Sequence, residues 1–223
     1  MRLSPVFACA AILCIQPAAH AEDLQLTGDA AFAAMRKMTC GTLEQGKTRY
    51  GYYEGRVWSR VPGEKDRQLF GFIGINTRQC ADVSDPDKGE GYRSVSREIL
   101  LYLDSETGEI VDNWENPFTG ETVAVVHVAN DPVNMRAPRF RSGRDGKPPT
   151  VKLRRYGDIT FSSNEIPLFY DNPLGGDYQR YVGGTYHAME IFNSAYLSER
   201  LLDPDEASVG QSNISWSRIS QWL

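Results

Sequence analysis

Apolar and polar residues alternate along most of this chain with the two-residue period of β-strands. In the longest run, 92–103, the odd-numbered residues from Arg93 to Leu101 share one face, and the even-numbered residues from Ser94 to Tyr102 share the other. Shorter alternating runs, separated by clusters of Gly, Pro, Asn and Asp, occupy 50–58, 69–75, 110–114, 121–128, 151–156, 158–161, 184–192 and 212–219. The pattern predicts eight or more antiparallel strands.

Helix and turn signals refine this picture. One helix is predicted near the N-terminus, beginning after a Thr27 or Asp29 cap and ending at Gly41. Turns at 104–108 and 116–120 predict a three-stranded antiparallel meander, and 134–149 is predicted to be a long loop. Four glycines inside predicted strands favour sharp coiling of the sheet: Gly51, Gly55, Gly71 and Gly74. We therefore predict a mainly β protein, either an antiparallel calycin- or lipocalin-like barrel or a strongly curved sheet, with a short N-terminal helix.

Residues 1–21 have the three parts of a cleavable secretory signal peptide. Arg2 supplies a positive charge, residues 6–15 are apolar, and Ala19 and Ala21 place small residues where a signal peptidase reads them. The alternative is that this stretch is a helix of the folded domain. We expect cleavage after Ala21, which leaves 22–223 as a single domain in the periplasm or outside the cell. No later segment is long and apolar enough to predict a membrane span.

Charge and cysteine content limit the partners and cofactors. The chain has a formal net charge of −5 and no basic cluster of the kind that binds nucleic acid. Outside the signal peptide only Cys40 and Cys80 remain, and the sequence leaves open whether they form a disulfide. There is no metal-ligand spacing, phosphate-binding loop or dinucleotide motif, so we expect no metal and no cofactor. The oligomeric state is not predicted.

Three residues are candidates for acid–base chemistry. His127 and His187 are the two histidines outside the signal peptide, and each shares a strand face with apolar residues, as a buried core histidine would. If they instead line a cavity, either imidazole can act as a general base near neutral pH. Glu98 lies in the middle of the longest predicted strand, where a carboxylate must be paired, protonated or facing a polar cavity. A structural partner for it would be an arginine on a neighbouring strand.

A second set of residues could line a ligand site. Aromatic side chains in β proteins are more often plain core, and Asn at strand ends is common in turns, so a structural role is the alternative for each. The candidate ligand-binding residues are Tyr52, Trp58, Tyr102, Trp114, Asn130, Tyr186, Glu190 and Trp216.

Several blocks of sequence resemble one known family. They are 96–104, 107–110, 116–121, 127–134, 184–186 and 215–223, and together they are similar to the family called domain of unknown function 1838. The resemblance covers most of the chain after residue 21. It implies no settled reaction and no catalytic residue. Members of that family usually continue beyond the block that ends in Trp222 and Leu223, so the resemblance also implies a truncated chain.

Two functions are consistent with these observations. The first is an exported binding protein whose barrel-like interior holds a small apolar or aromatic molecule. The alternative is a cofactor-independent isomerase, dehydratase or lyase, in which His127 or His187 and Glu98 move protons on such a molecule. The two are distinguished by geometry, because an enzyme needs two titratable groups at one ligand position.

Overall fold

The fold is described from a computed structural model, which covers residues 20–135, 137–171 and 185–220. The predicted signal peptide lies outside these ranges except for His20 and Ala21, and so do the last three residues of the chain. The fold begins with a strand at Glu22, the first residue after the expected cleavage site.

Strands dominate the described part of the chain, and only two helices occur in it. The strands are β1 (Glu22–Thr27), β2 (Arg49–Ser59), β3 (Arg67–Asp85), β4 (Gly89–Leu103), β5 (Asn113–Glu115), β6 (Thr122–Ala124), β7 (Val128–Asp131), β8 (Arg139–Phe140), β9 (Thr150–Tyr156), β10 (Ile159–Asp171), β11 (Thr185–Leu197) and β12 (Ser212–Ser220). The helices are α1 (Gly28–Cys40) and α2 (Ser198–Leu202).

The strands form two five-stranded antiparallel sheets and one small hairpin. The first sheet has the order β1-β9-β10-β11-β12, and the second has the order β2-β3-β4-β7 with β8 also paired to β4. Strands β5 and β6 pair only with each other. The architecture is mainly β with a strongly curled, half-barrel sheet, which confirms the predicted fold class in its strongly-curved-sheet form.

Helix α1 closes one end of the half-barrel and contacts both sheets. Ala34 packs with Leu153 and Tyr196 of the first sheet, whereas Phe32 packs with Tyr92 of the second sheet. The helix ends as predicted at Gly41, which adopts the left-handed conformation (φ 76°) and donates its N–H to a carbonyl one turn back at 2.8 Å. The predicted N-terminal helix is therefore confirmed.

The predicted three-stranded meander forms only in part. Leu103 and Ile110 are bridged across the first turn and β5 pairs with β6 across the second, but the three segments do not form one sheet. Strand β4 pairs with β7, and the predicted strand 121–128 is extended only at Thr122–Ala124 and again from Val128. The physical reason lies at His127, whose Nδ1 accepts the backbone N–H of Tyr102 at 3.1 Å. A side chain thus takes the hydrogen bond that a neighbouring strand would supply, and the ladder is interrupted there.

The cross-strand register defines two faces of the second sheet. Gly51, Asn76 and Glu98 are aligned across β2, β3 and β4 and point to the concave side, which we call the inner face. The next row, Tyr52, Ile75 and Ile99, points to the opposite side, which we call the outer face. A residue two positions along a strand returns to the same face, so the alternation in the sequence is confirmed.

Two glycines of β3 allow a test of whether the curled sheet requires a residue without a side chain. A Cβ at Gly74 would lie 2.6 Å from the carbonyl oxygen of Ile99 and would overlap the Tyr53 ring, whereas a Cβ at Gly71 would make only ordinary van der Waals contacts, the nearest with Leu103 at 3.5 Å. We expect Gly74→Ala to lower the free energy of unfolding by about 2 kcal/mol because the backbone must shift. We expect the matched control Gly71→Ala to be neutral or stabilising by up to about 1 kcal/mol. Urea denaturation of both variants measures the difference, and equal effects would contradict this account.

Candidate functional site

A row of four aromatic rings crosses the inner face and joins the two sheets. Tyr53 and Phe72 of the second sheet have ring centroids 6.2 Å apart, and Phe72 is also 6.2 Å from Trp216 of β12. Trp216 in turn lies 6.5 Å from Phe192 of β11. These spacings are typical of interacting aromatic pairs. Phe72 is buried within the row, whereas Tyr53, Phe192 and Trp216 are half-buried. A carboxylate lies near each end of the row.

Glu98 stands at the Tyr53 end of the row and is only partly satisfied. Its Oε2 accepts one long hydrogen bond from the Asn76 side-chain amide, at 3.3 Å, and Glu98 is half-buried. Tyr53 donates its hydroxyl to the Ile99 carbonyl at 3.2 Å. The pKa of Tyr53 is raised, first by burial and then by the negative charge of Glu98 and by a side-chain hydrogen bond to it, so the Tyr53 hydroxyl also lies within reach of this carboxylate. A carboxylate can accept about four hydrogen bonds, so Glu98 keeps spare capacity.

Arg78 lies beside Glu98 and Arg49 lies beside Arg78, and the end of α1 explains the positions of both arginines. Arg49 donates to the Met38 carbonyl at 3.4 Å, and Arg78 donates to the Thr39 carbonyl at 3.3 Å. Cationic groups at a helix C-terminus bind its free carbonyls and favour its dipole. Burial lowers the pKa of Arg78, the charge of Arg49 lowers it further, and Glu98 opposes both. Both arginines therefore hold the helix, and no ion pair between Arg78 and Glu98 forms within 4.0 Å.

Glu190 stands at the other end of the row and accepts three hydrogen bonds. Its Oε1 accepts hydrogen bonds from Arg218 Nε at 3.0 Å, from Arg218 Nη2 at 2.6 Å and from Trp216 Nε1 at 3.2 Å. These contacts fix the Trp216 indole against Phe72 and Phe192. The two carboxylates thus differ in role, because Glu190 orients the aromatic row and Glu98 offers acceptor capacity at its far end.

Tyr102 and Trp114 belong to a second aromatic cluster next to the row. Phe70 packs between them, with centroids 5.5 Å from Tyr102 and 4.9 Å from Trp114. Trp114 comes from the β5–β6 hairpin, which therefore contacts this end of the half-barrel. His127 stacks on Tyr102 at 6.2 Å. The three aromatic rings of this cluster pack against one another, and His127 lies at the edge of the cluster.

The structure does not bring the three acid–base candidates together. His127 contacts Tyr102, which is four residues from Glu98 and thus about 13 Å away along the strand. Its second nitrogen, Nε2, is 4.0 Å from an Asp112 oxygen. His187 is exposed on the opposite side of β11 from Glu190 and contacts the Phe169 ring at 5.0 Å. The expectation that it resembles a buried core histidine is therefore wrong, because this end of β11 projects its outward side into solvent.

The remaining predicted ligand-binding residues lie away from the row. Tyr52 and Trp58 are exposed on the side of β2 opposite Tyr53. Asn130 is exposed in β7 and has a positive φ of 58°, which Asn tolerates better than most residues. The backbone of Tyr186 lies in β11, but its side chain is outside the described part of the structure.

Sequence reasoning did not single out four residues that the structure places at the site. They are Tyr53, Phe72, Asn76 and Phe192. The alternation does group Tyr53 with Gly51 and Gly55, and small residues on both sides of an aromatic ring are a signal of close packing. Tyr52 and Tyr53 are adjacent, however, and nothing in the sequence says which of the two faces the interior.

Two clefts lie outside the aromatic row. One, of about 510 Å³, is lined on the outer face by Tyr50, Thr77, Val95 and Arg97, together with neighbouring polar residues. The other, of about 320 Å³, lies between α1 and the β3–β4 hairpin. Among the residues of the three described ranges, no three His, Cys, Asp or Glu side chains cluster as a metal site would need. The described helices also include none with the length and apolar character needed to cross a membrane.

The fold and the inner face together define the structural class of this protein, which is a curled, mainly β half-barrel with an aromatic row on its concave side. Within that class, the sequence profile of the family described as protein of unknown function (DUF1838) matches residues 46–223. The chain belongs to this family, as the resemblance of its sequence blocks indicated. Comparisons with curated proteins and with solved structures found no significant match.

Proposed function

We propose that this is an exported binding protein that holds a small, largely apolar molecule against the aromatic row. The observation that supports the proposal is Glu98, a half-buried carboxylate beside the aromatic row. Among the described residues it accepts hydrogen bonds from Asn76, at 3.3 Å, and from Tyr53, which leaves acceptor capacity free. An aromatic wall with one or a few polar groups is the usual composition of a small-molecule site. The ligand would lie against the half-buried rings of Tyr53 and Trp216 and donate a hydrogen bond to Glu98.

The proposed export rests on two independent features. The N-terminal 21 residues have the pattern of a signal peptide, and the first strand begins at the following residue, Glu22. Cys40 and Cys80 form a buried disulfide with Cα atoms 5.7 Å apart, and such bonds persist in oxidising compartments such as the periplasm. We therefore place the working protein in the periplasm or outside the cell.

The enzyme alternative receives no support from the positions of the histidines. Proton transfer at one ligand requires two groups within hydrogen-bond reach of it. His127 is held by a backbone N–H beside Tyr102, and His187 points away from the inner face. Binding is therefore the function that the geometry favours.

The experiment is a binding measurement with matched variants. Native mass spectrometry of the protein purified from its own periplasm tests for a retained molecule, and fluorescence titration with the neutral probe phenylnaphthylamine measures affinity. We expect Trp216→Ala to weaken probe binding about tenfold or more, because the aromatic rings of the probe can no longer stack on the indole. Glu98→Gln removes the strong acceptor for the probe's N–H and is expected to weaken binding about fivefold to tenfold.

Tyr52→Ala is the matched control, since Tyr52 neighbours Tyr53 but faces outward. Its probe affinity should equal that of the wild type. A Tyr52→Ala loss as large as that of Trp216→Ala would move the site to the outer face and overturn the proposal. Probe binding that is unchanged in both Glu98→Gln and Trp216→Ala would overturn it as well.

A further inference from the structure

The outer face of the second sheet presents a continuous stripe of large apolar side chains to solvent. Tyr52, Ile75 and Ile99 are aligned directly across β2, β3 and β4, and they are 67%, 52% and 51% exposed. Tyr50, Trp58 and Val95 extend the stripe along the same face. Monomeric proteins rarely leave a contiguous apolar patch larger than a few hundred Å² uncovered. A covering partner is therefore expected.

Two opposite charges lie at opposite corners of this stripe. Glu54 follows Tyr52 on β2, and Arg97 precedes Ile99 on β4, so Ile75 lies midway between them. Four residues along the strand and two strands across separate the two charges by roughly 16 Å. Within the described part of the chain, neither forms an ion pair: Glu54 accepts the Tyr52 hydroxyl at 2.9 Å, and Arg97 donates to the Ser96 carbonyl at 2.9 Å.

This placement matches the requirement of a two-fold interface. In such an interface both copies use the same surface patch. If residue i of the first copy contacts residue j of the second, then residue j of the first copy contacts residue i of the second. A two-fold rotation about an axis through Ile75 places Glu54 of one copy opposite Arg97 of the other. The same rotation places the Ile75 side chains of the two copies opposite each other. We propose that the outer face is the dimer interface of this protein, with a two-fold axis through Ile75 and a Glu54–Arg97 ion pair at each end.

The geometry of that contact is specific. For the two charges to meet face to face, the axis must lie in the plane of the interface and perpendicular to the line that joins them. The strands of the two copies then cross nearly at right angles, which is one of the two ways in which sheets pack. Six large side chains with roughly 100 Å² exposed each would bury about 600 Å² per copy, or about 1,200 Å² in total, the lower end of specific interfaces.

Sedimentation velocity of the protein expressed from its full-length sequence tests the proposal. The wild type is expected to sediment as a dimer at micromolar concentrations. Ile75→Asp should give a monomer, because it places two carboxylates against each other on the axis. Ile219→Asp is the matched control: Ile219 lies in β12 of the other sheet and is 66% exposed, so this variant should remain a dimer.

Charge reversal identifies the register and does not depend on the folding of Ile75→Asp. Glu54→Arg alone and Arg97→Glu alone should each raise the dissociation constant about tenfold or more, because like charges then meet. The double reversal should restore the wild-type value to within about threefold. A monomeric wild type, a dimeric Ile75→Asp variant, or a double reversal that stays as weak as its single parents would each overturn the proposal. These results leave probe binding at the inner face unaffected, so the two proposals fail separately.

Discussion

Replacing both Cys40 and Cys80 with alanine is expected to lower the free energy of unfolding by about 4 kcal/mol. The disulfide joins the last residue of α1 to β3 across a sequence separation of 40 residues. A cross-link of that span removes conformational entropy from the unfolded chain worth about 4 kcal/mol at room temperature. Both cysteines are fully buried beside Phe32 and Tyr92, so the bond also fixes the helix on the second sheet. Urea denaturation of the oxidised wild type and of the double variant measures the loss.

Reduction of the wild type is the internal control for this experiment. The reduced protein keeps both sulfur atoms in the core and loses only the covalent bond, so it should lose most of the same free energy. A loss below about 1 kcal/mol in both samples would show that the closed loop contributes little to stability. Thiol labelling then tests export: protein recovered from the periplasm should be unreactive at both cysteines until it is unfolded and reduced.

The periodicity of the sequence predicts which residues share a face, but not which face is inside. The 92–103 run groups Ser96, Glu98 and Tyr102, and the structure confirms this grouping. Tyr52 and Tyr53 are adjacent and chemically identical, so their assignment depends on the direction of the curl. That direction follows from glycines beneath aromatic rings: a Cβ at Gly55 would overlap Phe72, and a Cβ at Gly74 would overlap Tyr53. Such pairs form between strands and cannot be found from one strand alone.

Interactions between side chains and backbone are a second limit of sequence reasoning. The alternation around His127 predicts a continuing strand, yet its ring accepts a backbone N–H and interrupts the ladder. The partner of Glu98 illustrates the same point, because an arginine on a neighbouring strand was one expectation. Arg78 does lie nearby, but its guanidinium donates to the end of α1, and Asn76 supplies the hydrogen bond instead. A helix from a distant part of the chain decides the second of these outcomes, because its C-terminal carbonyls bind Arg78.

Replacing Lys37 with methionine is expected to lower the free energy of unfolding by about 3 kcal/mol. Lys37 is 1% exposed, and its Nζ donates to the carbonyls of Arg200 at 3.0 Å, Leu201 at 3.4 Å and Asp203 at 2.6 Å. These are carbonyls at the end of α2, which have no partner within that helix. Methionine fills the same volume but cannot donate, so three carbonyls lose their donor at about 1 kcal/mol each.

Lys47→Met is the matched control for this variant. Lys47 is exposed and pairs with Glu44 at 3.2 Å on the surface, so its replacement should change the free energy of unfolding by less than about 0.5 kcal/mol. If Lys37→Met is as mild as the control, the carbonyls of α2 are satisfied in another way. Lys37→Arg tests size separately from charge, because it keeps the donors but overfills the buried site.

The pH dependence of stability separates the charge of Lys37 from its packing. Burial lowers the pKa of Lys37 below its ordinary value, although the charges of Asp203 and Glu206 oppose the shift. Between the folded pKa and the unfolded value near ~10.4, the unfolded chain binds more protons, so stability contributed by this group rises with pH. The wild type should therefore gain stability relative to Lys37→Met as the pH approaches 10. The pKa of Tyr53 is raised as well, but its contribution to the free energy of unfolding is the same in the wild type and in Lys37→Met. It therefore cancels in the difference between the two proteins. A difference that is constant from neutral pH to pH ~10 would show that the buried ammonium is as well solvated by the three carbonyls as it is by water.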